Sequence, residues 1–215
     1  MFTSAAFCVQ ASAVYDNGGP NQVDGANITA YVSADDFTMA TPSTLTGVNF
    51  WSSADIDPYS SQFSGTIGWG ILSDNGGTPG ELLYSGADSA PSLFDTSNQI
   101  DGTEEWELTV ALPSITLDAG TYWLALHEGP LGTPDDGTEI YWDTTSNQTG
   151  SVAMQTGDVS GASGWFPSTF SSGAGGDLAF QLTGSLDASP EPPFVFPVAV
   201  LLFLGSVRRS NAKAK

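Results

Sequence analysis

The chain has 215 residues, 40% of them apolar, with 25 glycines and 13 prolines, which supplies a substantial core and favours turns over long helices. Its 24 acidic residues stand against four basic ones, a formal net charge of −20, and Arg208, Arg209, Lys213 and Lys215 all lie at the C-terminal end. A nucleic-acid-binding surface, which needs Lys and Arg to neutralise phosphates, is excluded.

The same imbalance constrains every acid. No carboxylate before Arg208 has a Lys or Arg partner within its own domain. A buried Asp or Glu must therefore be hydrogen-bonded, protonated or metal-bound.

In chain order, residues 1–13 read as a truncated signal-peptide remnant. They end in Ala11-Ser12-Ala13, the small-x-small pattern of a signal-peptidase site, with the true start expected upstream of Met1. Cys8, the single cysteine, falls in this stretch, so no intrachain disulfide and no cysteine-based zinc cluster is expected.

Residues 14–188 read as one β-rich ectodomain. Strands are predicted at Ile28–Val32, Leu45–Trp51, Ser64–Leu72, Leu82–Ser85, Glu105–Leu112, Glu139–Asp143 and Ser151–Gln155. Further strands are carried by the alternations Tyr122, Leu124, Leu126 and Leu178, Phe180, Leu182. In Glu105–Leu112 the residues Trp106, Leu108, Val110 and Leu112 fall on one face, which places Glu105 and Glu107 on the outer one. Asp-Asn-Gly-Gly occurs at Asp16–Gly19 and Asp74–Gly77, and the second copy reads as a β-hairpin turn. The fold class expected is all-β: an antiparallel β-sandwich, jelly-roll-like, plus one short C-terminal hydrophobic helix.

The chemistry-bearing residues are few. His127 is the only histidine, and no Gly-x-Ser-x-Gly elbow accompanies it, so it reads as a half-exposed structural residue at a strand end. Glu104, Glu105, Glu107, Glu128 and Glu139 could supply paired carboxylates for a carbohydrate-active enzyme, the rival reading to a non-catalytic module. Oxygen-rich loops around Asp55 and Asp57, around Asp135 and Asp136, and around Asp35-Asp36 suit Ca2+, which takes six to eight oxygen ligands. Exposed aromatic rings stack on sugar faces. Trp165, in a Gly-rich loop, and Tyr59, beside Pro58, are the candidate ligand-binding rings, whereas Trp51, Trp69, Trp106, Trp123 and Trp142 read as core.

Residues 189–215 close the chain. Pro190-Glu191-Pro192-Pro193 leads into Phe194–Val207, an apolar run, and then Arg208-Arg209. An apolar run with a basic cap reads as a transmembrane helix with its C-terminal end on the cytoplasmic side. At 14 residues it would span about 21 Å against a hydrocarbon core of about 30 Å. The order of these three parts resembles the PEP-CTERM sorting signal of Gram-negative bacteria. That resemblance implies a substrate of exosortase, a membrane-embedded cysteine transpeptidase. It makes Pro190, Glu191 and Pro192 the recognition residues and Arg208 and Arg209 the orienting ones. It further implies transient anchoring in the inner membrane, then the cell surface or extracellular matrix, in a cell that makes an exopolysaccharide. Val14–Pro20, Ser33–Thr38, Ser73–Leu83 and Leu117–His127 resemble the secreted sandwich domains that precede such tails. The expected function is a structural or adhesive module associated with exopolysaccharide, with Ca2+ as a possible cofactor bridging its acids to an anionic polymer.

Overall fold

The computed structural model describes residues 12–158, 163–168, 170 and 176–187. They form thirteen strands: β1 (Ser12–Asp16), β2 (Pro20–Asn27), β3 (Val32–Met39), β4 (Ser43–Ala54), β5 (Ile67–Asp74), β6 (Pro79–Asp88), β7 (Ser92–Ile100), β8 (Thr103–Leu117), β9 (Gly120–Glu128), β10 (Ile140–Thr145), β11 (Met154–Thr156), β12 (Phe166–Pro167) and β13 (Phe180–Leu186).

Two sheets hold them. One runs β12-β11-β3-β9-β5-β6. The other has seven strands, with β4 as its spine. β8 pairs with β4 from Ser43 to Ser53. The opposite edge of β4 is shared end to end by β13, opposite Ser43–Phe50, and β10, opposite Ser52–Ala54. β1 extends beyond β13, β2 beyond β10 and β7 beyond β8. All the strand pairings are antiparallel.

Alternation builds the core. Leu108 and Val110 of β8, Val48 and Phe50 of β4, and Phe180 and Leu182 of β13 face Phe37 of β3 and Leu124 and Leu126 of β9. The six-stranded sheet is apolar on both faces. Trp123 and Ala125, the alternate residues of β9, join Val32, Ala34, Leu72 and Met154 in a second cluster, against which Trp165 packs. A strand covered on both sides reads as a continuous apolar run, as Tyr122–Leu126 does.

The jelly-roll-like sandwich is corrected here. The fold is all-β with two sheets, but one is curled into a half-barrel. The physical cause lies in the spine. β4 carries partners along both edges, and the ladder around it slips at Leu45/Gly47, Thr183/Gly184 and Asp143/Thr145. Such bulges sharpen the right-handed twist and bend the strand that carries them. The bend brings β2 towards β7.

Other expectations also shift. Ile28–Val32 is not a strand: Thr29 and Ala30 donate their N–H groups to Asn27 Oδ1, closing a turn between β2 and β3. The Asp-Asn-Gly-Gly turn at Asp74–Gly77 does connect a hairpin, β5 to β6, with Gly76 and Gly77 both at positive φ. Ala13, the expected cleavage residue, lies in β1 opposite Thr183.

Among the described residues the one helical element is a 3-10 turn, Tyr59–Ser61, and no helix is long and apolar enough to cross a membrane. The expected transmembrane helix, and the transient inner-membrane anchoring built on it, have no counterpart among the described residues. Phe194–Val207, Pro190, Glu191, Pro192, Arg208 and Arg209 lie outside the described residues.

Candidate functional site

The β5–β6 turn is built by one carboxylate. Asp74 accepts the N–H of Gly76 at 3.1 Å and of Gly77 at 3.0 Å, and also the indole N–H of Trp123 at 3.0 Å. Ser73 Oγ accepts the Glu81 N–H across the hairpin. These bonds hold Asp74, Asn75 and Glu81 beside Trp165, and together they line an open groove of about 420 Å³. Trp165 is half-buried, with one side against the second apolar cluster. The next residue, Phe166, is 39% exposed and meets Tyr31, 40% exposed, edge to face at 5.8 Å. A ring bordered by an amide, two carboxylates and a hydroxyl matches what a sugar offers: an apolar face rimmed by hydroxyl groups.

Tyr59 takes no part in that surface. It is fully buried, stacked on Trp106 at 5.8 Å and tilted against Phe63, with its hydroxyl donated to Ser52 Oγ. Burial pushes its phenol well above the usual value. Trp69, Trp123 and Trp142 are buried as expected of core rings, while Trp51 and Trp106 are half-buried.

Of the acids proposed for calcium, Asp55, Asp57, Asp135 and Asp136 are exposed. Asp57 accepts the Glu104 N–H, and Asp135 accepts that of Gly137. Asp136 accepts both the hydroxyl and the N–H of Thr138, which hold its carboxyl below the usual range. Asp55 lies at the mouth of a second pocket described below. Among the described residues no three His, Cys, Asp or Glu side chains are grouped to hold a metal.

His127 is 4% exposed rather than half-exposed. Burial lowers its pKa, and its Nδ1 lies 3.4 Å from the Gly129 carbonyl. Beside it, Glu128 is also buried. It accepts the Ser64 N–H and the Thr29 and Thr138 hydroxyls, which ties three loops together. Glu104 accepts the Tyr59 N–H and the Trp106 indole N–H. Neither arrangement leaves a carboxyl pair across a cleft.

Two acidic groupings are buried: the sequence marks Asp35-Asp36 of the first as an oxygen-rich calcium loop, and the second was not legible as a site. Asp35 is fully buried in β3, where it accepts N–H groups from Asn17, Leu178 and Asp36. Asp36 and Asp177 sit beside it and fix the loop at residues 149–151 through Ser151 and Thr149. Burial is the leading cause that raises all three carboxyls; repulsion adds to it, from Asp177 and Asp36 at Asp35, from Asp36 at Asp177 and from Asp74 at Asp36.

The second grouping lies on the inner face of the curled sheet. Glu105 stands opposite Ser53, which also stands opposite Tyr141, and Asp143 follows two residues along the same face. Glu105 and Asp143 are both fully buried. Burial pushes the Asp143 carboxyl well up; the Ser53 hydroxyl opposes this and the Glu105 charge adds to it. The alternation in β8 assigns Glu105 to the face away from Trp106, and that is where it lies. What the alternation misses is that the curl covers that face.

Compared with protein-family models and with curated proteins, the chain matches none of either.

Proposed function

We propose that the chain is a non-catalytic structural or adhesive module that associates with exopolysaccharide through the Trp165 groove, and that its Pro190-Glu191-Pro192 tail makes it an exosortase substrate. The observation that carries the binding role is the grouping of Trp165 with Asp74, Asn75 and Glu81 along one open groove, beside the exposed Tyr31–Phe166 pair. An aromatic platform with fixed hydrogen-bonding groups recognises a sugar without needing positive charge. That suits a chain with no Lys or Arg before residue 208. An anionic polymer would be repelled by this protein unless divalent ions bridged the two.

The rival reading, a glycan-cleaving enzyme with paired carboxylates, finds less support. The pair on the inner sheet face is fully buried, and a glycosidic bond must lie between its acid and its nucleophile. Co-sedimentation of the purified protein with the producing cell's exopolysaccharide separates the two, with the supernatant assayed for new reducing ends. Retention without reducing ends is the expected result. Trp165→Ala is expected to weaken retention about tenfold, equivalent to about 1.4 kcal/mol. Unchanged retention in that variant refutes the groove, and new reducing ends refute the non-catalytic role.

A further inference from the structure

On the inner face of the half-barrel, hydrogen bonding stops short of completion. Glu105 Oε1 accepts the Thr96 hydroxyl at 2.9 Å and the Asn98 amide at 3.0 Å, and Asp143 Oδ1 accepts the Ser53 hydroxyl at 2.7 Å. The other oxygen of each carboxyl, Glu105 Oε2 and Asp143 Oδ2, is buried with no partner at all. Buried carboxylates are costly even when paired, and they are protonated, matched by a counter-charge or bound to a metal. Among the described residues there is no Lys or Arg to supply a counter-charge.

We propose that Glu105, Asp143 and Ser53 form a buried binding site for a hard divalent cation, of which calcium is the type. Every donor on this face is an oxygen. Two carboxylates and a hydroxyl suit Ca2+, which completes six to eight oxygen ligands with backbone carbonyls and water, whereas zinc selects imidazole and thiolate. With two carboxylates rather than three, the remaining ligands are neutral oxygens.

The pocket that reaches Ser53 is also acidic. Its volume is about 320 Å³, and its other walls include Asp24, Asp55, Asp101 and Tyr141. Three carboxylates around a concave pocket concentrate cations and repel anions. Gly25, which lines the same pocket, stands opposite Asp143 in the β2–β10 ladder. A Cβ there would come 2.7 Å from Tyr141 Cβ and 3.5 Å from Asp143 Oδ1, so glycine keeps the space beside the carboxyl open.

The site is distinct from the Trp165 groove, and its failure would leave the glycan reading standing. The test uses the full chain stripped with EDTA, followed by calcium titration read as a shift in melting temperature, and by terbium titration read as sensitised emission. Trp51, two residues before Ser53 on the same sheet face, is the expected sensitiser. Calcium is expected to raise the melting temperature, and Glu105→Gln and Asp143→Asn to weaken the ion at least tenfold. Asp55→Asn should weaken it only a few-fold, and Asp135→Asn should leave it unchanged. Ser53→Ala, which keeps both charges, provides a second reading if a carboxyl variant does not fold, and a several-fold loss is expected there. No response of the wild-type protein to either ion overturns the proposal. A response that persists at full strength in Asp143→Asn and Ser53→Ala places the ion elsewhere and overturns it equally.

Discussion

Replacing Asp35 by alanine removes a side chain with no exposed surface that gathers three N–H donors: Leu178 N at 2.6 Å, Asp36 N at 2.9 Å and Asn17 Nδ2 at 3.1 Å. Each donor left buried and unpaired costs about 1–3 kcal/mol. The Asn17 amide keeps its bond to the Leu178 carbonyl and so suffers least. Loss of a buried acid, whose desolvation opposes folding, offsets part of the sum. The net expectation is a destabilisation of about 3–5 kcal/mol, a large share of the roughly 5–15 kcal/mol that holds a domain folded. At about 2–4 °C per kcal/mol for a chain of this size, melting should fall on the order of 10–15 °C. Urea unfolding followed by tryptophan fluorescence measures this directly, with the slope in urea expected to stay unchanged. Asp36→Ala provides the internal comparison. Asp36 takes one N–H from the loop it faces, that of Ser151, and its loss should cost about 1–2 kcal/mol. A cost below about 1 kcal/mol for Asp35→Ala, the range of an ordinary surface substitution, would refute the claim that this acid is the internal clamp joining β3 to the segment before β13.

Three further outcomes are expected. The carboxyls of Asp35, Asp36, Asp143 and Asp177 are all raised above 3.8, with burial as the leading cause. Over that window the folded protein binds more protons than the unfolded chain, so in EDTA the melting temperature should fall as pH rises from about 4 through the folded values; a steady rise from about pH 4 to pH 7 would contradict it. Gly150, at φ +78°, faces the Asp36 carboxylate, and a Cβ there would lie 2.6 Å from Oδ1 and closer still to Oδ2. Gly150→Ala should therefore cost about 1–2 kcal/mol for the left-handed backbone plus the displacement of Asp36, whereas Gly137→Ala, at φ +82° in open space, should cost only the backbone part; equal effects in urea melts would refute the contact. Trp142→Phe removes the indole N–H donated to the Ala179 carbonyl at 2.9 Å, a buried bond that ties β10 to the segment before β13, and should cost about 2–3 kcal/mol by the same assay; a neutral result would refute that tie.

The sequence was most legible where a local pattern carries its own cause. The alternation of Glu105–Leu112 located β8 and its core face, and Asp74–Gly77 located the β5–β6 hairpin, because period and turn chemistry act over a few residues. β7 escaped notice because an edge strand needs no apolar alternation: Ser92–Gln99 is almost wholly exposed. Val32–Met39 carries Asp35 and Asp36 in an apolar frame and looks like an oxygen-rich loop, yet it is a buried strand of the six-stranded sheet.

The candidate site divides in the same way. Trp165 could be singled out as a ring in a Gly-rich loop, but its neighbours Asp74, Asn75 and Glu81 come from a hairpin some ninety residues away. Tyr59 looked equivalent from its position beside a proline, and only the packing of Trp106 and Phe63 around it made it core.

By itself the sequence determined the scarcity of basic residues, the β content and the placement of Glu105 on the sheet face opposite Trp106, because composition and period are properties of the chain. The tertiary structure decided which side of a sheet is truly outside. The spine strand β4 bends where its ladder slips, and the bend turns the nominal solvent face around Ser53, Glu105 and Asp143 into an interior. A period of two tells one face from the other, and only the curvature of the whole sheet tells which of them water reaches.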